Sequence, residues 1–356
     1  MMSARFLTVV LERAFNMRDG FGREIDYMRI SVIDSCNLNC YYCNPCDNNE
    51  HCHALNILSV KEVLCIVRAA TRLGIKHFRL TGGEPLLHPQ LDEMVLQIKK
   101  IPGVSSVSLT TNAVLLAQHA KWLKEAGIDS INVSLDTIDA SEYERITKKP
   151  LLEEVKHGIN AAIECGIRVK INVVLTPQTD VVALTRYVAK KGTDIRFIEM
   201  MPVGEGHTNG VEPYKKVIGT LSKLYGEPCR INTEKTKEIN SGNDKRKIPD
   251  NGPAEYYIFP ELGIRVGLIQ AIHGKFCATC NRIRVTADGR LMPCLGSSVT
   301  MDLVPDSWDF ADDVEKDFAI VRALRAAIKA KPRCHNFNDN AVTYTKTTET
   351  KTTEIE

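Results

Sequence analysis

From about residue 27 to residue 201 the sequence alternates short runs of β-branched residues with amphipathic stretches of helical periodicity. This alternation constrains the fold more than any other feature, because six consecutive strand–helix units imply a parallel sheet with right-handed crossovers. Since polar residues follow the strand ends, we expect an α/β fold, an incomplete (β/α)6 TIM-like barrel, although periodicity alone leaves an open doubly wound sheet as an alternative. The predicted strands are Met28–Ile33, His77–Leu80, Ser106–Thr110, Ile131–Leu135, Val169–Leu175 and Ile195–Glu199.

Local signals mark several helix boundaries between these strands. Ser59, with Glu62 three residues later, forms a capping box that predicts the start of a helix. Gly127 and Gly166 each follow a helical stretch and are interpreted as the left-handed residues that end it. These signals support the strand–helix alternation independently of the hydrophobic pattern.

The sequence changes in character after about Pro202. Polar segments at 204–210 and 232–251 are typical of loops, and the repeated Thr, Lys and Glu at the end predict a disordered tail. Two further strands and one helix, ended by Pro332, are predicted at Tyr256–Ile258, Ile264–Ile269 and Asp313–Lys331. The predicted domains are an N-terminal extension at 1–22, the partial barrel at 23–205, a C-terminal region at 206–338 and the tail at 339–356.

Composition excludes several classes of protein. The 356 residues include 44% hydrophobic and 25% charged side chains, which are ordinary values for a globular protein. The net charge of +2 argues against wholesale nucleic-acid binding but permits a local basic pocket for an anion. No apolar run approaches the roughly 20 residues needed to cross a bilayer, and the N-terminus does not read as a signal peptide, so we expect a cytoplasmic protein.

The chain contains 12 cysteines, most of them in two groups. In a long chain without an export signal, such clustering indicates metal binding rather than disulfides. Cys36, Cys40 and Cys43 follow the first strand, with Cys46 and Cys52 close behind. The second group consists of Cys277, Cys280 and Cys294. The isolated cysteines are predicted to be small, buried or half-buried hydrophobic residues, and they are Cys65, Cys165, Cys229 and Cys334.

Each group supplies three closely spaced thiolates. Three cysteine ligands suit a 4Fe–4S cluster and leave its fourth iron open for a substrate or cofactor. The alternative is a structural zinc site, which needs a fourth ligand. Cys46, Cys52 or His53 would complete the first zinc site, and Cys334 or His335 the second. Spacing alone leaves both interpretations open.

Further landmarks follow the first cysteine group along the chain. Thr81–Pro85 (TGGEP), Thr110–Asn112 (TTN) and Ser134–Asp136 (SLD) end the second, third and fourth strands. Together with the Cys-x3-Cys-x2-Cys spacing, they resemble the radical S-adenosylmethionine (SAM) superfamily. The resemblance implies a partial barrel, a 4Fe–4S cluster on the first three cysteines, and a bound SAM that supplies a 5′-deoxyadenosyl radical. The cofactor-binding residues it implies are Tyr42, Gly82, Gly83, Glu84, Thr110 and Ser134.

The second cysteine group lies within a longer pattern. The stretch 276–284 (FCATCNRIR), with Gly252–Ala254 before it and Asp288–Gly289 and Cys294 after it, closely resembles the GTP 3′,8-cyclase family of molybdenum-cofactor biosynthesis. The resemblance implies a second 4Fe–4S cluster on the three cysteines, whose open iron binds the guanine of GTP. It also implies removal of the ribose 3′ hydrogen and cyclisation to 3′,8-cyclo-7,8-dihydro-GTP. The implied partners are an electron donor such as flavodoxin or ferredoxin, a downstream pterin synthase and, as in many members, a second copy of the chain.

Basic residues occur within otherwise apolar strands. Arg29 alternates with Met28 and Ile30, and Lys170 and Arg196 interrupt the fifth and sixth strands. Because charged side chains are rarely buried without a partner, these positions predict a pocket for an anion such as a triphosphate. Five basic residues match basic positions of the family: Arg29, Lys170, Arg196, Arg282 and Arg284. The resemblance implies that they bind the substrate in the catalytic site.

The chain departs from the family pattern at several positions. His77 stands where a lysine is usual, Ser35 replaces an arginine, Ala113 replaces a glycine, and the last residues are Ile355–Glu356 rather than Gly-Gly. Two alternatives therefore stay open. One is a paralogous two-cluster radical SAM enzyme that acts on another nucleotide or a peptide, and the other is a non-catalytic zinc-binding protein on the same barrel.

Overall fold

The computed structural model describes residues 17–43, 56–203, 211–231, 252–297, 299–303, 313–335 and 337. Three sequence predictions lie outside these residues: the ligand role of Cys46, Cys52 or His53, the loops at 204–210 and 232–251, and the tail. Within the described residues, no helix is both long enough and apolar enough to span a bilayer.

Helices and strands alternate through most of the described chain. The α-helices are α1 Val60–Arg72, α2 Leu91–Lys99, α3 Leu116–Glu125, α4 Ala140–Thr147, α5 Leu152–Glu164, α6 Val181–Lys190, α7 Gly219–Tyr225 and α8 Asp313–Lys329. The strands are β1 Tyr27–Ile33, β2 His77–Gly82, β3 Ser106–Thr111, β4 Ser130–Ser134, β5 Val169–Val174, β6 Asp194–Ile198, β7 Cys229–Arg230, β8 Glu255–Ile258, β9 Arg265–Ile269, β10 Arg282–Val285, β11 Arg290–Met292 and β12 Met301–Asp302. Short helical turns lie at Pro85–Leu87, Tyr214–Ile218 and Cys277–Thr279.

The local signals in the sequence correspond to real boundaries. Ser59 caps α1: its hydroxyl accepts the Glu62 N–H at 3.3 Å, and the Glu62 carboxylate accepts the Ser59 N–H at 2.6 Å. Gly127 and Gly166 follow α3 and α5 with φ of 88° and 68°, the left-handed conformation that glycine adopts without a steric penalty. The helix before Pro332 is also confirmed, although it ends at Lys329 rather than Lys331.

Strand predictions were accurate for the long strands and missed most of the short ones. The six strands expected before residue 202 all form, as do β8 and β9. The strands β7, β10, β11 and β12 were missed, because strands of two to four residues seldom show a periodic pattern, although β8, also of four residues, was predicted.

All the described strands form a single sheet. Strands β1 to β6 pair in sequence order and in parallel, which confirms the expected incomplete (β/α)6 barrel. The C-terminal region extends this sheet at both edges, because β10 pairs in parallel with β1 and β9 pairs in parallel with β6. The remaining strands continue these edges in antiparallel order. Residues of the C-terminal region thereby lie next to β1 at one edge of the barrel and next to β6 at the other, although they are far from both strands in the sequence.

The two faces of the sheet differ in polarity. On one face Met28, Ile30 and Val32 of β1, with their counterparts on the other strands, are fully buried in the hydrophobic core with the helices. The residues that alternate with them point the other way, and in β1 they are Tyr27, Arg29 and Ser31. Barrel interiors are usually filled by branched apolar side chains. Here the interior face is polar and basic, so it suits a polar, anionic ligand.

Candidate active site

The first cysteine triad lies on the loop that follows β1, at the carboxyl end of the parallel strands. Cys36 and Cys43 are exposed and Cys40 is half-buried, and all three are free thiols. The Cys36 sulfur accepts two hydrogen bonds, from the Leu38 N–H at 3.4 Å and from the Asn112 side-chain amide at 3.8 Å. These donors stabilise negative charge on a thiolate or a cluster sulfur.

Gly82 and Gly83 pack directly against the backbone that leads into this loop. A Cβ on Gly82 would lie 2.1 Å from the Ile33 carbonyl oxygen, and one on Gly83 would lie 2.2 Å from that of Ser35. The Gly83 N–H donates to the Ile33 carbonyl at 2.8 Å and fixes this contact. The structure thus gives the glycine pair a role that spacing did not reveal: it positions the cysteine loop. Contact with SAM stays a prediction.

Replacing Gly83 with alanine is expected to destabilise the fold by about 3 kcal/mol, because backbone rather than a flexible side chain occupies the space. The matched control is Gly219→Ala, since a Cβ on Gly219 meets nothing within 4 Å. That change is expected to leave stability unchanged or to raise it by up to about 1 kcal/mol. Urea unfolding of the cluster-free protein measures both changes. An equal midpoint for wild type and Gly83→Ala would contradict this account of the glycine pair.

Glu84 links the ends of β2 and β3. Its buried carboxylate accepts hydrogen bonds from the Thr111 hydroxyl at 2.7 Å, the Asn112 N–H at 2.7 Å and the Leu86 N–H at 3.0 Å. Burial raises the pKa of this carboxyl, while the three donors act in the opposite direction. Glu84 therefore fixes the turn after β2 to the end of β3 through hydrogen bonds within the protein, and its expected contact with the cofactor stays a prediction.

Tyr42 and Asp136 form a hydrogen-bonded pair beside the first triad. The Tyr42 hydroxyl donates to one carboxylate oxygen of Asp136, and the Val174 N–H donates to the other at 2.7 Å. Burial raises the pKa of Asp136 to about 6. A small pocket, about 40 Å³ in volume, lies here and is lined in part by Cys40 and Ser134. The Tyr42 hydroxyl ties the cysteine loop to Asp136 at the end of β4, and its expected role in cofactor binding stays a prediction.

The second triad lies at the opposite end of the barrel. Cys277 and Cys280 precede β10, which runs parallel to β1 with Arg282 beside Tyr27, the first residue of β1. Cys294 follows β11, which runs back along β10 to the same end. The 7 residues of β1 span about 20 Å, so the polar interior of the barrel lies between the two triads.

The second triad has an electropositive environment. Burial alone would raise the pKa of Cys280, but Lys331, Arg282 and Arg284 and the Arg282 N–H together lower it. In the first triad the pKa of Cys40 is instead raised to about 12, by burial, by Asp136 and by the other two thiols. Iron binds thiolates. Cys280 therefore favours the ligating thiolate form, whereas burial raises the pKa of its neighbour Cys277.

The thiols of each triad interact electrostatically without converging on one point. Cys36 and Cys43 both raise the pKa of Cys40, and Cys280 and Cys294 raise that of Cys277. Among the residues that the structure describes, no three His, Cys, Asp or Glu side chains are arranged to hold a single metal ion. A 4Fe–4S cube binds each thiolate through a different iron, so three neighbouring but separated thiols fit it.

A group of cationic side chains and one tyrosine lines the barrel between the triads. Arg29 lies between Arg79 and Arg284 in the sheet register, and Tyr27 lies between His77 and Arg282. The guanidinium groups of Arg79 and Arg282 lie 5.9 and 5.6 Å from the centroid of the Tyr27 ring. Burial and the charges of Arg284, Arg79 and Arg282 lower the pKa of Arg29 to about 9. An anion bound here would relieve this repulsion.

A second set of basic residues comes from β5, β6 and the C-terminal strands. Lys170 and Arg196 are both buried, and the ammonium of Lys170 lies 5.9 Å from the Tyr256 ring centroid. Gly267 makes this arrangement possible, because a Cβ there would lie 2.8 Å from Cγ of Arg196 and 2.9 Å from the Tyr256 ring. Arg196 also donates to Asn172 at 2.9 Å. The expected basic residues thus face one interior from opposite sides of the barrel.

Sequence reasoning missed several members of this interior. Arg79 and Tyr256 were noted only as parts of predicted strands, and Tyr27 lay just before the predicted strand Met28–Ile33. The signal for Arg79 was available, since it alternates with the fully buried Phe78 and Leu80 as Arg29 does with its neighbours. No comparable signal exists for the tyrosines, because an aromatic residue on a strand is usually core.

The prediction for the isolated cysteines was half right. Cys65 is buried and Cys165 is half-buried, as expected, whereas Cys229 and Cys334 are exposed. Cys229 lies on an edge strand, and Cys334 follows Pro332 in a segment without regular structure. Neither position packs its thiol into the core, so the reading of these two residues as small hydrophobes was wrong.

Comparison with known proteins gives matches to two families. Residues 30–183 match the family described as the Radical SAM superfamily. Residues 193–337 match the family described as Molybdenum Cofactor Synthesis C. The two matches are adjacent along the chain and together include both cysteine triads.

Curated relatives align over nearly their whole length. The GTP 3′,8-cyclase of Clostridium perfringens (strain SM101) is 35% identical over 324 residues, covering 90% of this chain and 95% of the relative. The GTP 3′,8-cyclase of Peptoclostridium acidaminophilum is 37% identical over 328 residues, covering 90% and 94%.

Solved structures support the fold. SuiB of Streptococcus suis bound to S-adenosylmethionine has a TM-score of 0.57 at 15% identity, covering 83% of this chain and 68% of that one. The protein anSMEcpe with bound AdoMet has a TM-score of 0.52 at 17% identity, covering 83% and 82%. At these identities the likeness concerns the architecture alone.

Proposed function

Because the chain belongs to the GTP 3′,8-cyclase family of radical SAM enzymes, we propose that it converts GTP to 3′,8-cyclo-7,8-dihydro-GTP, the first step of molybdenum-cofactor biosynthesis. The observation that carries the proposal is the basic barrel interior between two cysteine triads. The end of the barrel at the first triad suits SAM, the cofactor that starts the reaction. The end at the second triad suits the guanine base of the nucleotide. Lys170, Arg196, Arg282 and Arg284 lie between them, where a triphosphate would be bound.

At the first triad, Cys36, Cys40 and Cys43 would hold a 4Fe–4S cluster and leave one iron open. A reduced cluster with bound SAM supplies a 5′-deoxyadenosyl radical. The remaining SAM-binding residues we assign are at the strand ends: Gly82, Gly83, Glu84, Thr110 and Ser134. Tyr42 would orient the cysteine loop through its hydrogen bond to Asp136.

At the second triad, Cys277, Cys280 and Cys294 would hold the other cluster, whose open iron anchors guanine. Arg282 and Arg284 follow directly on β10, so a nucleotide anchored here reaches them and Arg29 on the neighbouring strand. Guanidinium groups bind phosphate oxygens through paired, charge-assisted hydrogen bonds. These contacts would hold the ribose in the interior with its 3′ carbon toward the SAM end.

Several finer assignments rest on the family resemblance. We propose a flavodoxin or ferredoxin as electron donor, a pterin synthase as the consumer of the product, a homodimer, and a cytoplasmic location. We also assign the radical chemistry to residues 23–205 and the second cluster to residues 206–338. The matched family ranges, 30–183 and 193–337, support that division.

One observation favours a second candidate, cyclisation of another nucleotide. His77 stands where the family has a lysine, and its Nδ1 lies 2.8 Å from the Ser106 hydroxyl. Burial lowers the pKa of His77, so the ring is neutral at pH 7 and contributes no charge to a phosphate site. A site with one cation fewer binds a triphosphate less tightly, and this departure from the family pattern at a phosphate-binding position is what supports a nucleotide other than GTP as the second candidate.

An anaerobic turnover assay tests the proposal. Reconstituted protein is incubated with SAM, a reductant and GTP, ATP, CTP or UTP in parallel, and products are identified by mass spectrometry. We expect a cyclised product in the GTP arm and in no other arm, accompanied there by 5′-deoxyadenosine. A cyclised product from ATP alone would establish the second candidate, and 5′-deoxyadenosine with no cyclised nucleotide in any arm would refute both.

Arg284→Ala is expected to reduce kcat/KM for GTP by about 100-fold, because the charge contact of this half-buried guanidinium to phosphate is lost. Uncoupled SAM cleavage, measured without nucleotide, should change little, since Arg284 is level with Arg29, about 13 Å along β1 from the strand end that leads to the first triad. Arg284→Lys keeps the charge but not the planar fork, so an intermediate loss is expected. Arg290→Ala is the control, because that side chain is exposed on the adjacent strand. Equal losses of both activities in Arg284→Ala would contradict the assignment.

A further inference from the structure

The segment from Lys331 to His335 lies across all three loops of the second triad. The Lys331 ammonium donates to the Arg282 carbonyl at 2.8 Å and to the Pro293 carbonyl at 2.9 Å. Arg282 follows Cys280 by two residues, and Pro293 immediately precedes Cys294. The buried Lys331 therefore fixes the start of this segment between two of the three cysteine loops.

Arg23 attaches the same segment to the third loop. Its guanidinium donates to the Cys277 carbonyl at 2.7 Å, to the Pro332 carbonyl at 2.6 Å and to the Arg333 carbonyl at 3.1 Å. Asp19 holds the guanidinium in place through a buried ion pair. Residues from the two ends of the described chain are thus joined at the second triad.

The next two residues bring a fourth thiol to the site. Cys334 follows Arg333, whose carbonyl accepts from the same guanidinium nitrogen of Arg23 as the Cys277 carbonyl does, so the backbone of Cys334 lies beside the Cys277 loop. His335 is buried, its Nε2 lies 2.8 Å from the Ala271 carbonyl, and Gly296 packs so closely that a Cβ there would lie 2.8 Å from the His335 Cβ. Cys334 is consequently held between fixed neighbours, while its own side chain is exposed and free.

We propose that Cys334 is a fourth thiolate ligand of the second cluster, which binds the otherwise open iron while no nucleotide is present. The inference rests on the proposed function, because it requires the cluster on Cys277, Cys280 and Cys294. Binding of GTP is a ligand exchange: the iron–sulfur bond to Cys334 breaks, a bond from guanine to iron forms, and no electron is transferred. The released thiolate takes a proton from water, which reaches it because Cys334 is exposed.

This arrangement has a chemical consequence for the resting protein. A cluster with four thiolate ligands is less easily oxidised to a three-iron form than one with an open iron, since no iron is exchangeable with solvent. The bond from Cys334 to iron also raises the apparent dissociation constant for the nucleotide, because only the fraction of protein in which Cys334 has left the iron can bind GTP. Cys334 therefore protects the site and competes with its substrate.

The experiment isolates the second cluster. Full-length protein carrying Cys36→Ser, Cys40→Ser and Cys43→Ser is reconstituted with ⁵⁷Fe and compared with the same background plus Cys334→Ala. Cys229→Ala in that background is the matched control, since Cys229 is also an exposed free thiol. Mössbauer spectra are recorded with and without GTP, and the GTP dissociation constant is measured by equilibrium dialysis.

We expect four equivalent, sulfur-ligated irons in the background protein and in the Cys229→Ala control, with one iron becoming distinct when GTP binds. Cys334→Ala should show the distinct iron without GTP and should bind GTP about tenfold more tightly. Identical spectra and affinities with and without Cys334 would overturn the inference while leaving the proposed function intact. Failure of the background protein to bind iron would overturn both.

The neighbouring histidine provides a competing outcome. Among the described residues, Nδ1 of His335 is a buried nitrogen with no hydrogen-bond partner. If this nitrogen rather than the Cys334 sulfur binds the fourth iron, electron–nuclear double resonance of the reduced cluster will show a nitrogen coupling that disappears in His335→Gln. That result would overturn the assignment to Cys334.

Discussion

Replacing Cys36 with alanine is expected to abolish formation of 5′-deoxyadenosine from SAM. In the proposed assignment this thiolate would hold one iron of the first cluster, and that cluster would supply the electron that cleaves the sulfonium. Loss of residues that merely support a metal ligand costs 10- to 100-fold in metal affinity or activity, so loss of the ligand itself should exceed about 100-fold. Iron content should fall by about half, because the second triad is unaffected. Chromatography of anaerobic reactions with dithionite, with and without GTP, measures the nucleoside.

The matched control for this experiment is Cys165→Ala. Cys165 is a half-buried thiol at the end of α5, in neither triad, so its removal should leave iron content and SAM cleavage unchanged. If Cys36→Ala cleaves SAM at the wild-type rate, the cluster is not held by the loop after β1. The assignment of Cys40 and Cys43 would then fail as well, because all three belong to one site.

Replacing Cys280 with alanine is expected to separate SAM cleavage from cyclisation. The first triad lies at the other end of the barrel, so slow reductive cleavage of SAM should persist. The cyclised nucleotide should fall by more than about 100-fold, because guanine loses its anchor and the ribose is no longer held toward the radical. The ratio of 5′-deoxyadenosine to cyclised product, which is near one in coupled turnover, should rise by the same factor. Both products are quantified in one mass-spectrometric run.

The matched control for Cys280→Ala is Thr279→Ala. Thr279→Ala changes the neighbouring residue in the same helical turn, whose hydroxyl donates only to the local Phe276 carbonyl at 3.3 Å, and it should leave the ratio near one. Normal cyclised product from Cys280→Ala would show that the second triad does not anchor the substrate. The simpler function that would remain is reductive SAM cleavage coupled to another acceptor.

Both predictions depend on how the C-terminal region completes the barrel. Arg282 and Arg29 are more than 250 residues apart, yet β10 pairs with β1 and places them on neighbouring strands. At the other edge β9 brings Gly267 beside Arg196, and Tyr256 of β8 reaches the same interior. The basic pocket is therefore shared between two regions of the chain, and neither region contains all of it.

Much of the fold was predictable because its signals are local. Six strands and the helix caps at Ser59, Gly127 and Gly166 follow from hydrophobic periodicity and backbone preference, which act over a few residues. The basic residues Arg29, Lys170 and Arg196 were identifiable for the same reason, since each interrupts an apolar strand. The cysteine spacing likewise indicated two metal sites.

The tertiary structure alone decided which of these residues meet. Strand order placed the two triads at opposite ends of the barrel, joined by a polar interior, because β10 runs parallel to β1 and begins beside its first residue. It also brought Tyr27 beside the guanidinium groups of Arg79 and Arg282, and it placed Cys334 beside the Cys277 loop, where the sequence had left its role open. Strands, helix caps and metal-binding spacings depend on residues close together in the sequence, so the sequence by itself predicts them. A site assembled from strands far apart in the chain forms only when those strands pair in the sheet.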